Sequence, residues 1–296
     1  MKIFGYYISL FFIYLVILVP FPLFYGISDV AYFLLYHVFG YRRKVVMENL
    51  RNSFPEKNEK ELEKISRRYF RYLCDFFLET PKTLIITRSC AIRHCKLAPE
   101  AKALFDRYNN EKKSVILVMG HFGNWEWAGN TFSLLGKQPL YVIYHPLSNS
   151  HFNGLMRKMR MRFGTRLIAM KDAYKDMVKL KDEVNVTAFI ADQTPSPENA
   201  YWTRFLNQDT PVFKGPEKIA RKLNYPVVYV RMERIKRGYY VISAETLFEE
   251  PNKTTEGEIS EAHTRKLETD ILKQPEIWLW SHRRWKHKRP ESTTVQ

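Results

Sequence analysis

In the stretch His121-Phe122-Gly123-Asn124-Trp125-Glu126, an imidazole and a carboxylate lie five positions apart. Such a pair can form a base with its own orienting partner, and that base can take the proton from a hydroxyl group. On one continuous helix, five residues at about 100° each would leave the two side chains roughly 140° apart. Convergence therefore needs a turn between them, and Gly120 and Gly123 provide the backbone freedom for one. A second reading stays open on the hexapeptide alone, namely a strand-to-helix connection that carries a histidine by chance.

The elements around the hexapeptide bear on that choice. Ser114 to Met119 is an apolar run that reads as a buried strand, and Trp125 to Leu135 reads as a helix stopped by Gly136. Further along, the spacing predicts strands at 140–144, 166–170, 184–191, 227–232 and 239–246. Helices are predicted at 99–108, 152–163, 173–181 and 217–223. This alternation predicts an α/β fold with a central, mostly parallel or mixed sheet flanked by helices. In open α/β sheets the ligand crevice lies beyond the carboxyl ends of the strands. His121 follows one predicted strand and Asp192 ends another, so parallel strands would bring both to one edge. Upstream, Ser53-Phe54-Pro55-Glu56 has the form of a capping box. The helix it would open carries Leu62, Ile65, Tyr69, Tyr72, Leu73 and Phe76 on one face and ends at Pro81. Its other face holds Lys60, Lys64, Arg67, Arg68 and Arg71, either as a solvated face or as a side leaning on a membrane. The stretch 193–213, with its prolines and mixed polarity, reads as a long functional loop. Glu217 reads as a favourable charge at a helix N-terminus.

Lys and Arg total 47 against 31 Asp and Glu, a formal charge of +16, which favours anionic partners. The three cysteines, Cys74, Cys90 and Cys95, have no paired spacing and read as reduced cytoplasmic thiols, not metal ligands. From Ile3 to Val19 no residue is charged; 17 helical residues span about 26 Å, enough for one membrane crossing with flanking help. Pro20 and Pro22 break the run, and the second apolar stretch, Gly26 to Phe39, reads as interfacial, re-entrant or returning. By the positive-inside rule, Tyr41-Arg42-Arg43-Lys44 then keeps the rest of the chain in the cytoplasm. The expected organisation is a membrane anchor over 1–44, a cytoplasmic domain over 45–290 and a disordered tail over 291–296. The basic C-terminal stretch mixes tryptophans with cations, which suits a lipid headgroup interface better than nucleic acid; its tryptophans themselves read as core and interface packing or as a wall for the acyl chain.

With these blocks in order, the chain resembles the late acyltransferases of lipid A biosynthesis, within the lysophospholipid acyltransferase superfamily. His121 to Glu126 matches the superfamily's H-x4-E motif in its HFGNWE form. Asn49-Leu50-Arg51-Asn52-Ser53-Phe54-Pro55-Glu56 is similar to the segment after the family's anchor. Tyr144-His145-Pro146 with Arg160-Met161-Arg162, Ala191-Asp192-Gln193, Phe205-Leu206-Asn207 with Lys214-Gly215-Pro216, and Pro275 to Lys286 resemble later blocks. His145 stands where arginine is common and Leu206 where a second phenylalanine is usual.

The resemblance implies a membrane-bound O-acyltransferase without metal or cofactor. His121 would be the general base, and Glu126 would fix its tautomer and stabilise the imidazolium. The acceptor hydroxyl would attack the thioester of an acyl-carrier protein, or of coenzyme A, directly; the absence of a G-x-S-x-G elbow fits that. Of the two arginines about 200° apart on a helix, Arg160 is the expected substrate contact and Arg162 the alternative. Asn124, Asp192 and Gln193 complete the candidate substrate-binding set. The implied acceptor is a lipid A precursor at the cytoplasmic face of the inner membrane. A lysophospholipid, an aminolipid or a phosphoinositide mannoside is the alternative acceptor. A non-catalytic lipid- or RNA-binding membrane protein is the reading from another class.

Overall fold

Val115–Met119 is buried at every position, as an uninterrupted apolar strand covered on both faces must be. Its side chains alternate between two cores. Val115, Leu117 and Met119 join one apolar cluster, while Ile116 and Val118 join another. The computed structural model describes residues 2–290; positions 291–296, where a disordered tail is expected, lie outside the described residues.

The elements run α1 (Lys2–Leu18), α2 (Phe21–Phe33) with a π-helical turn (Leu34–Val38), α3 (Arg43–Ser53), α4 (Glu59–Lys82) and α5 (Arg88–His94). The alternating part comes next, with β1 (Cys95–Leu97), α6 (Pro99–Asn110), β2 (Val115–Met119), α7 (Trp125–Leu135), β3 (Leu140–Tyr144), α8 (Ser150–Met161), β4 (Arg166–Ala169), α9 (Ala173–Lys179) and β5 (Val186–Ile190). Then come β6 (Ala200–Phe205), β7 (Gln208–Phe213), α10 (Gly215–Leu223), β8 (Val227–Lys236), β9 (Tyr239–Phe248) and α11 (Glu258–Lys273). Seven strands form one sheet in the order β1-β9-β8-β2-β5-β3-β4. From β8 to β4 all neighbours are parallel; β9 runs antiparallel to β8, and β1 runs parallel to β9. The sheet is thus mixed but mostly parallel, with helices packed on both faces.

Three expectations change. The helix expected to be capped by Ser53 starts five residues later: Asn58 is the cap, accepting from the Glu61 N–H while Glu61 reaches back to the Asn58 N–H. Ser53 instead closes α3 and is buried. The stretch expected as a long loop contains the antiparallel hairpin β6–β7, with Leu206 and Asn207 both at positive φ in its two-residue turn.

The third change concerns the N-terminus. No single helix among the described residues is long and apolar enough to cross a membrane; only Phe21–Val38 with Arg43–Ser53 passes together, and that pair is bent by 85°. The first apolar run stops at α1 because Pro20 lacks the N–H that would continue it. Lys82 Nζ takes up the freed carbonyls of Ile17 and Val19 at 2.8 and 2.5 Å. On α1, Phe4, Phe11, Phe12 and Leu18 remain 59–73% exposed.

Candidate active site

Strand register places the first two functional groups. Met119 of β2 lies opposite Ile190 of the adjacent parallel strand β5. Two residues beyond each strand end, His121 and Asp192 therefore leave the carboxyl edge of the sheet side by side. The His121 Nδ1 is 2.5 Å from Asp192 Oδ1. The other carboxylate oxygen accepts from the His121 backbone N–H at 2.8 Å and from the Trp278 indole N–H at 2.8 Å. Burial alone would raise the Asp192 carboxyl, but the His121 charge and these donors outweigh it and hold the group at about 2. An ionised Asp192 fixes the ring proton of His121 on Nδ1. The Nε2 lone pair is left toward Gln193, whose side-chain nitrogen is 3.4 Å away.

The loop between β2 and α7 is clamped from three sides. The Tyr72 hydroxyl donates to the Gly123 carbonyl at 2.7 Å, the Gly123 N–H donates to the Ile277 carbonyl at 3.0 Å, and Phe122 pairs with Trp278. Both glycines are required by geometry. Gly123 has φ +64, and a Cβ there would stand 3.0 Å from the Met232 carbonyl. A Cβ at Gly120 would stand 2.7 Å from Leu267 and 3.1 Å from Asp192 Oδ2.

Glu126 occupies the first turn of α7, a favourable place for a carboxylate. It makes no hydrogen bond to His121. Both of its oxygens hold Arg160, at 2.9 and 2.6 Å, in a bidentate pair. The expected His121–Glu126 contact is therefore corrected: Asp192 is the partner of the imidazole, because strand register brings it there, while α7 turns Glu126 toward α8. Burial opposes the Arg160 charge, and Glu126 more than offsets it, raising the guanidinium above its usual value. Arg160 and Gln193 line a cleft of about 390 Å³ together with His121, Trp125, Glu126 and Tyr144. Arg162 points elsewhere and donates to the Thr83 carbonyl. Asn124 is likewise outside the cleft. Fully buried, it caps α7 through the Trp127 N–H and donates to Glu79 at 2.7 Å, so it holds the loop and meets no ligand. Ile143, Met170 and Ile190 are shared with an adjoining, mainly apolar chamber of about 410 Å³, whose lining includes Lys171, Lys218 and Lys222.

The residues that spacing alone does not reveal come from the C-terminal block. Trp278 and Trp280 are buried in the core, not set at a headgroup interface. Trp278 is a positioning residue for Asp192. Behind Asp192 lie His263 and His282, both pushed down to about 4 by burial and so neutral at physiological pH, and the buried guanidinium of Arg284. Glu217 lies in the first turn of α10, as expected, and also accepts from the Gly257 and Ser260 N–H groups at 2.5 and 3.0 Å, at the N-terminus of α11. Among the described residues no group of three or more His, Cys, Asp or Glu side chains is arranged to hold a metal ion.

The sequence model described as "Bacterial lipid A biosynthesis acyltransferase" matches residues 1–287. The chain belongs to this family. It is accordingly an acyltransferase of the late lipid A type. It is similar to the lipid A biosynthesis lauroyltransferase of Escherichia coli K12, 24% identical over 288 residues, covering 94% of this chain and 90% of that one. The palmitoleoyltransferase of the same organism is 24% identical over 250 residues, 83% of this chain and 79% of its own. A lipid A biosynthesis acyltransferase of Haemophilus influenzae is 24% identical over 255 residues, 85% and 80% of the two chains.

Proposed function

We propose that the protein transfers a fatty acyl chain from an acyl-carrier protein thioester to a hydroxyl of a lipid A precursor, working at the cytoplasmic face of the inner membrane. The observation that carries this reading is the His121–Asp192 pair at the sheet edge, with Nε2 facing, beside the Gln193 side chain, a cleft that Arg160 also lines. The family supports the acceptor class, and the exposed apolar residues of α1 support a membrane setting. Residues 1–44 would be the membrane-associating part and 45–290 the catalytic body.

In the proposed reaction His121 Nε2 takes the proton as the acceptor oxygen bonds to the thioester carbonyl carbon. The carbonyl oxygen becomes an oxyanion, and Arg160, fixed by Glu126, stabilises the developing negative charge. Collapse breaks the C–S bond, and the imidazolium returns its proton to the leaving thiolate. Asp192 keeps the tautomer and stabilises the imidazolium while it lasts. Gln193 steadies the Nε2 side of the ring. The acyl chain would lie in the apolar chamber beyond Ile143, Met170 and Ile190.

The test is to combine the purified protein with an acyl-carrier protein thioester and a phosphorylated lipid A precursor. The expected product is heavier by one acyl chain, with one free thiol released per product. Thiol release without acylation of that precursor would overturn the acceptor assignment.

A further inference from the structure

A second large concavity, of about 1090 Å³, lies between α2 and α4 and shares no lining residue with the cleft at His121. Five cations of α4 line it: Lys60, Lys64, Arg67, Arg68 and Arg71, spaced so that they form one stripe of the helix. Arg67 is held by Glu63 at 2.8 Å. Arg71 lies 5.0 Å over the Tyr32 ring, and Lys60, Lys64 and Arg68 have no ionic or hydrogen-bond partner among the described residues. Four like charges thus face the groove with no carboxylate paired to them; the lining also holds Asp29, Glu63 and Asp75, each already paired to an arginine, and Glu276, so cations outnumber carboxylates there by seven to four. Arg234 and Arg237, also in the lining, are already committed to Asp75 at 2.6 and 2.7 Å.

The opposite wall is mainly apolar and leads outward; its carboxylate, Asp29, is held by Arg237 at 2.8 Å. Tyr32, Phe33 and His37 line the groove from α2 and its π-helical turn. Phe33 is 56% exposed, and the apolar surface continues over Val30, Leu34, Val38 and Phe39. Unpaired cations beside exposed hydrocarbon match a ligand that carries a phosphate and acyl chains in one molecule. An acidic protein segment would meet the cations and leave the apolar strip in water.

We propose that this groove binds the phosphate of an anionic phospholipid headgroup, with the lipid chains along the exposed face of α2. The site is independent of the acyl-transfer reading, since none of its residues belongs to the His121 cleft. It makes α4 a recognition helix for the membrane as well as a support for the catalytic loop.

The experiment measures partitioning of the full chain onto vesicles of phosphatidylcholine alone or of phosphatidylcholine with phosphatidylglycerol, for wild type and Lys64→Gln/Arg68→Gln. Both side chains are exposed and unpartnered, so the variant keeps the wild-type thermal transition. Each basic residue near an anionic surface contributes about fivefold in binding, so the pair predicts a loss of about 25-fold on the phosphatidylglycerol vesicles. Partitioning onto phosphatidylcholine alone is expected to stay as it was. Unchanged binding to the anionic vesicles, or equal loss on both compositions, overturns the proposal. So does unchanged vesicle binding with a raised KM for the acyl-carrier thioester, which would assign the groove to an acidic protein.

Discussion

Replacing Asp192 with asparagine keeps the side-chain volume and changes one oxygen into an amide. The structure dictates which one. Oδ2 accepts from two donors, the His121 backbone N–H and the Trp278 indole, so the asparagine oxygen must stay there. Its amide nitrogen then faces His121 Nδ1 and donates to it, which drives the ring proton onto Nε2, where the base should be. The predicted loss in kcat is the full value of general-base help, about 10²–10⁴-fold, with KM little changed. Stability changes with it. The carboxyl ordinarily titrates at 3.8 and is held at about 2 here, and at 1.36 kcal/mol per tenfold this gap corresponds to about 2 kcal/mol. Because the folded value is depressed, that contribution is present above pH 4 and is lost as the pH falls toward 2. The difference in stability between wild type and Asp192→Asn should therefore narrow below pH 4. Steady-state kinetics, pH-dependent denaturant unfolding and ¹⁵N NMR of the His121 ring together test this reasoning. A variant with wild-type kcat, or with the ring proton still on Nδ1, would refute it.

The Glu126–Arg160 pair predicts a different signature. Glu126→Gln and Arg160→Gln should each lower kcat, and the double variant should lose little beyond the worse single, giving a coupling of about 1–3 kcal/mol. Strict additivity in that kinetic cycle would mean that Glu126 does not act through Arg160. Gly120→Ala should lower activity out of proportion to its melting temperature, because the new methyl group presses on Asp192 as well as on Leu267. Kinetics beside calorimetry check this, and full activity in a destabilised Gly120→Ala protein would contradict it.

Much of the fold can be read from residue patterns. The helix Trp125–Leu135 and the strand Leu140–Tyr144 have the bounds that periodicity and Gly136 predict. Parallel pairing of β2 with β5 brings Asp192 to His121 at the sheet edge, as their positions after two strands predict. What the spacing could not give is the identity of the imidazole's partner. Glu126 is near His121 in the chain, whereas Asp192 is near it only through the pairing of Met119 with Ile190. The helix start shows a similar limit. Ser53-x-x-Glu56 and Asn58-x-x-Glu61 both satisfy the capping pattern, and tertiary contacts decide between them by burying Ser53 beside Gln208. The hairpin β6–β7 is hidden because Leu206 supplies a positive φ that no Asn-Gly pair announces, and Pro211 sits within a strand. Trp278 reads as packing, since an indole gives no sign in sequence that its N–H will hold a carboxylate 86 residues away.

In the proposed mechanism His121 is the base that activates the acceptor hydroxyl. The most direct test of this role is the single-turnover rate of acyl transfer from an acyl-carrier protein thioester to a phosphorylated lipid A precursor, in wild type and His121→Ala under identical conditions. A base at this position predicts that the variant is slower by at least about 10²-fold with its folded state intact. Turnover of His121→Ala at the wild-type rate would contradict it.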